Sequence, residues 1–148
     1  MTKFDEIQIK NLNTIIHKKG NVYPIHKKNI LMNGFGEAYF SFIHPGVIKA
    51  WHLHKKMTAL YCIVEGEVLC VLTKKKIDKN KKRLFKKIRL NDKSRKIIKV
   101  PPHFWVGFKS ISSRTSIILN LTNLPYHEDK PIRLDINDET IEFNWKKI

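Results

Sequence analysis

Two histidines carry the chemistry this sequence offers most openly. His52 and His54 are one residue apart, in Gly46-Val47-Ile48-Lys49-Ala50-Trp51-His52-Leu53-His54. On a β-strand, residues two apart point to the same face. The pair is therefore expected to look into one pocket together or out at solvent together. Imidazole titrates close to neutral pH. Two rings on one face suit either a pair of nitrogen ligands or a general base with a helper beside it.

The surrounding elements must be short strands. Glu37 to Ile43 reads as one strand and stops at His44-Pro45-Gly46. Thr58 to Val64 and Glu67 to Thr73 flank the turn Glu65-Gly66, and Phe85 to Leu90 can pair back after a lysine-rich loop. Lys96 to Val100 enters Pro101-Pro102, and Ser116 to Leu121 reads as a late buried strand. Ile141-Glu142-Phe143-Asn144-Trp145 reads as a further strand or arm, and Lys10 to Lys18 as a short helical or irregular entry segment. Many short strands with turn signals between them indicate an all-β sandwich or barrel. The length of 148 residues predicts a single domain over residues 1–148.

Composition narrows the partners. The hydrophobic share of 42% is enough for a real core. No apolar run approaches the roughly 18 residues of a membrane span, and the charged start is not a signal peptide. The expectation is a cytoplasmic protein with no membrane partner. Cys62 and Cys70 lie in apolar runs and are expected to be reduced core residues. The net charge of +16 favours anionic partners. Much of that charge sits in the run from Lys74 to Lys87, where Phe85 is the only aromatic residue. Nucleic-acid surfaces interleave aromatics with basic residues. The run is read as a solvated hairpin loop, and nucleic acid is not expected as a partner.

Three segments, in order, resemble the dTDP-4-dehydrorhamnose 3,5-epimerase family of cupin barrels. They are Tyr39 through His54, Val100-Pro101-Pro102-His103-Phe104-Trp105-Val106-Gly107-Phe108, and Asn120-Leu121-Thr122 through Tyr126 to Phe143-Asn144-Trp145. The run His52-Leu53-His54-Lys55-Lys56 also resembles the related dTDP-4-keto-6-deoxyhexose 3,4-ketoisomerases. The resemblance implies a single cupin, or jelly-roll, barrel that pairs as a homodimer. It implies a nucleotide-sugar substrate and proton abstraction next to a ketone. His54 aligns with the family's histidine base, with His52 as its partner. Lys19-Gly20 is similar to an Arg-Gly that meets the diphosphate. Trp51 is a candidate for stacking on base or sugar.

The chain also departs from these patterns. Ala59 stands where cupins carry a carboxylate and where the epimerases carry a lysine. Cys70 replaces an aspartate, the acid tyrosine aligns near Leu119, and Val106 replaces a second-motif histidine. An aspartate that orients the base lies, in the family, beyond the closing tryptophan, and this sequence ends at Ile148. Two histidines alone make a poor metal site, so neither metal nor cofactor is expected. Lys49, Tyr61, His103 and Tyr126 are the candidates to compensate. The expected reaction is 3,5-epimerisation of a nucleotide-activated 4-keto-6-deoxy sugar. A 3,4-ketoisomerase and a non-catalytic nucleotide-sugar binder stand as alternatives.

Overall fold

The computed structural model describes residues 4–27, 31–75 and 81–148. Residues 76–80 of the lysine run, and residues 1–3 of the charged start, lie outside the described residues. Among the described residues, ten strands follow in chain order: β1 (Gln8–Asn11), β2 (Glu37–Ile43), β3 (Ile48–Leu53), β4 (Ala59–Glu65), β5 (Glu67–Lys74), β6 (Lys86–Asn91), β7 (Lys96–Val100), β8 (Phe104–Ser110), β9 (Ser116–Thr122) and β10 (Ile132–Arg133). They form two antiparallel five-stranded sheets, in the orders β1-β7-β4-β9-β2 and β10-β3-β8-β5-β6. The all-β jelly roll expected from the sequence is present.

Burial patterns explain the strand sequences. Ala59, Tyr61 and Ile63 of β4 turn into the core between the sheets, where they meet Val68, Cys70 and Leu72 of β5. The alternate residues are also buried. Leu60 and Cys62 pack beneath Leu31 and Met32 on the outside of the first sheet. Leu69 and Val71 pack beneath Ile141 and Trp145 on the outside of the second. Covering both faces makes β4 and β5 near-continuous apolar runs rather than alternating ones. Cys62 and Cys70 are both free and buried, as expected.

Two segments resolve alternatives that the sequence leaves open, the first to irregular chain after β1 and the second to an arm. The chain from Lys10 opens inside β1, which pairs with β7, and then runs irregularly to a bridge between Ile15 and Val22. Ile141 to Trp145 forms no strand. It turns and ends in a short 3-10 helix, Trp145–Lys147. Its alternation is real, but it records which side chains are buried against the second sheet and not a pairing of backbones. Gly107 makes that packing possible, because a Cβ there would lie 2.7 Å from the Trp145 ring and 2.8 Å from Ala50.

Candidate active site

A cavity of about 400 Å³ opens between the sheets. One wall is the inward face of β2 and β9, with Glu37, Tyr39, Ser41, Ile118 and Asn120. The other is built by Lys49 and His52 of β3, Phe108 of β8 and Arg133 of β10, with His54 just beyond β3. Lys49, His52 and His54 share this wall despite their unequal spacing. The pairing of β3 with β8 slips between Lys49 and His52. Such an irregularity re-aims side chains, and here it turns both histidines inward after Lys49.

His52 and His54 lie together as their spacing predicts, with ring centroids 5.9 Å apart. Their environments differ. Burial pushes His52 down to about 3, and the neighbouring His54 and Arg133 push in the same direction. His52 is thus neutral at physiological pH. Its Nε2 lies 3.3 Å from the Tyr61 hydroxyl. Tyr61 itself is buried in the core, edge-on to Phe108. Burial, chiefly, raises its phenol well above the ordinary range, so it keeps its proton. Tyr61 braces His52 from beneath and is not among the residues lining the cavity.

His54 is held by a residue far away in sequence. Its Nδ1 donates to the main-chain carbonyl of Asp129 at 2.9 Å and lies 3.5 Å from that residue's carboxylate. A carbonyl oxygen only accepts, so Nδ1 carries the proton in the neutral ring, and Nε2 is left with a free lone pair. Burial lowers the His54 pKa, while the Asp129 carbonyl and carboxylate work to raise it. Asp129 is only 6% exposed. Burial works to raise its carboxyl, but the amides of Lys56, Met57 and Lys55, with His54, outweigh this and hold it below the ordinary range. The Lys56 and Met57 amides each donate to it at 2.8 Å. The result is a neutral imidazole with a defined tautomer, fixed in place and facing a cavity. That is the state required of a general base.

The remaining candidates divide. Lys49 lines the cavity, as does Tyr126, which begins a short 3-10 helix, Tyr126–Glu128. Trp51 borders the cavity, but its indole is buried in the outer aromatic cluster, with its centroid 5.1 Å from that of Trp145. It packs rather than stacks on a ligand. Lys19 is exposed in the turn between Ile15 and Val22 and is not among the lining residues. His103 is exposed at φ 71° and is likewise absent from the lining. Its main-chain N–H donates to the His54 carbonyl at 2.9 Å, so its backbone supports the site while its ring does not enter it.

Sequence reasoning missed Asp129, Arg133 and Tyr39. Arg133 stands directly across the ladder from His52, and its charge acts on both histidines and on Tyr39. Asp129 is the important correction. Asp129, on the segment that precedes β10, contacts His54 through both its carbonyl and its carboxylate.

The sequence pattern of the dTDP-4-dehydrorhamnose 3,5-epimerase family matches residues 16–148. The chain belongs to that family. Spore coat polysaccharide biosynthesis protein SpsL of Bacillus subtilis is 30% identical over 117 residues, which span 78% of each protein. The crystal structure of a dTDP sugar isomerase from Desulfovibrio desulfuricans superposes with a TM-score of 0.85 at 24% identity, covering 95% of this chain and 91% of that one. A dTDP-6-deoxy-D-glucose-3,5-epimerase from Legionella pneumophila, solved with dTDP-4-keto-L-rhamnose, gives 0.80 at 18% identity, covering 98% of this chain and 81% of that one. The family and the two solved structures are dTDP-sugar epimerases and isomerases. Among the described residues, no helix is long and apolar enough to cross a membrane.

Proposed function

We propose that this protein is a cytoplasmic enzyme that epimerises a dTDP-4-keto-6-deoxy sugar, with His54 as the base. The observation that carries this reading is the hydrogen bond from His54 Nδ1 to the Asp129 carbonyl, which leaves Nε2 basic beside a cavity. A proton next to a ketone becomes removable when the developing enolate is stabilised by positive charge or donors. Arg133 and Lys49 supply that charge from the same wall. The sugar diphosphate, also anionic, draws on the same cations.

The test is incubation with dTDP-4-keto-6-deoxyglucose in deuterated water, followed by NMR. Deuterium is expected at C3 and C5, with inverted product. His54→Gln is expected to lower the exchange rate by about 100-fold or more, the scale of a lost general base. Exchange by His54→Gln at the parent's rate would remove His54 from the role. The side-by-side placement of His52 and His54 favours one second reading, 3,4-ketoisomerisation. A 3-keto product in the same NMR experiment would identify it.

A further inference from the structure

We propose that His52 donates a hydrogen bond from Nδ1 to the 4-keto oxygen of the sugar, with Tyr61 fixing the tautomer that allows it, an assignment that rests on the epimerase reading above. Removing a proton beside a ketone moves charge onto the carbonyl oxygen. A donor aimed at that oxygen stabilises the enolate as it forms. Ala59, where the resemblance places a lysine, is packed in the core and brings no donor from β4.

The Tyr61 hydroxyl decides which nitrogen of His52 carries the proton. It lies 3.3 Å from Nε2, and among the described residues His52 is its one hydrogen-bond partner. Burial keeps the phenol protonated. If Nε2–H donated to the hydroxyl oxygen, the phenol's own O–H would be buried with no acceptor, which is strongly disfavoured. The phenol therefore donates to Nε2. A neutral imidazole has one N–H, so that proton sits on Nδ1. The ring lines the cavity, and Nδ1 has no hydrogen-bond partner among the described residues.

Packing holds this donor in place. The His52 ring stacks on Phe108, with centroids 6.3 Å apart, and Tyr61 meets the same ring edge-on at 5.1 Å. Burial, with His54 and Arg133 beside it, keeps His52 neutral. A neutral imidazole N–H can polarise a carbonyl in this way. The two histidines thus take opposite parts. Asp129 holds His54 with Nε2 free to accept, and Tyr61 holds His52 with Nδ1–H free to donate. Their rings, 5.9 Å apart, let one reach a carbon and the other the oxygen on the adjoining carbon.

The step balances on these groups. His54 Nε2 takes the proton from carbon, the C–H pair becomes the C=C bond, and the carbonyl π pair moves onto oxygen. His52 shares its proton with that oxygen and keeps it. When carbon is reprotonated the C=O bond reforms and His52 is unchanged.

The experiment follows deuterium entry into dTDP-4-keto-6-deoxyglucose in the parent, His52→Ala, His52→Asn and Tyr61→Phe. One oxygen serves both carbons, so loss of the donor slows C3 and C5 together. His52→Ala is expected to lose about 100-fold or more. His52→Asn keeps an amide N–H near the place of Nδ1 but no base, and is expected to stay within about tenfold of the parent. Tyr61→Phe is expected to lower kcat by about tenfold and leave KM unchanged. Nitrogen NMR of histidine-labelled protein reads the tautomer without substrate. It should show His52 protonated on Nδ1 in the parent and shifted toward Nε2–H in Tyr61→Phe. His52→Asn as slow as His52→Ala overturns the donor role, and so does an Nε2–H tautomer in the parent. An unmoved tautomer in Tyr61→Phe overturns the part given to Tyr61. These failures leave exchange by the parent intact. A parent that takes up no deuterium removes the epimerase reading itself, and this role with it.

Discussion

Asp129 does two jobs with one carboxylate. It accepts the amides of Lys56 and Met57 and sits beside His54. Its charge raises the pKa of His54, against burial. In Asp129→Asn the main-chain carbonyl at 129 remains, but the charge is gone. The pKa of His54 must then fall. The acid limb of the rate profile moves to lower pH, because the base stays unprotonated further down. The plateau drops by about tenfold or more, because a weaker base has less driving force. A pH–rate series on the two proteins checks both signs, and an unmoved acid limb would refute the coupling. The His52/His54 pair was legible in the sequence because a two-residue period survives from residue list to strand. Asp129 was not. It reaches His54 across 75 positions, and only folding brings the two together. Tyr39 lies within the first resembling segment, but its place on the cavity follows from its register with Asn120, which the sequence does not state.

At the scale of elements, β3 and the closing segment show why some readings hold and others fail. The glycines and prolines that punctuate β2, β4, β5, β7 and β9 made those strands legible. β8 begins two residues after Pro102, inside the second of the resembling segments, where its apolar run carries no strand signal of its own. The irregularity in β3 was also invisible. It sends Trp51 outward into a cluster with Phe85, Phe143 and Trp145, where a regular strand count cannot place it. Gly107 permits that cluster to lie against β8. Gly107→Ala would force its methyl into the Trp145 ring or Ala50, and overpacking of this kind costs about 1–3 kcal/mol. The melting temperature is expected to fall, with Trp145 fluorescence reporting the displaced ring. An unchanged melting temperature would mean that the closing segment gives way freely.

At the scale of the molecule, an apolar strip on β2 lies uncovered. β2 is an edge strand, and its outward residues Phe40 and Phe42 are 58% and 54% exposed. Exposed edges and aromatic strips attract further chains. This supports a homodimer in which a second copy covers β2. Phe40→Lys/Phe42→Lys should convert a dimer into a monomer by light scattering, and a double variant that stays dimeric would place the contact elsewhere. The excursion between β9 and the end of β10 has a different consequence. Tyr126, Asp129, Pro131 and Arg133 all come from it, and the two residues of β10 pair it with β3. The barrel supplies the walls and the histidines, while one short stretch of chain supplies the tuning of the base and a cation beside it. Reaction outcome can therefore diverge between descendants of one scaffold by rewriting fewer than ten codons, with every large strand left as it was.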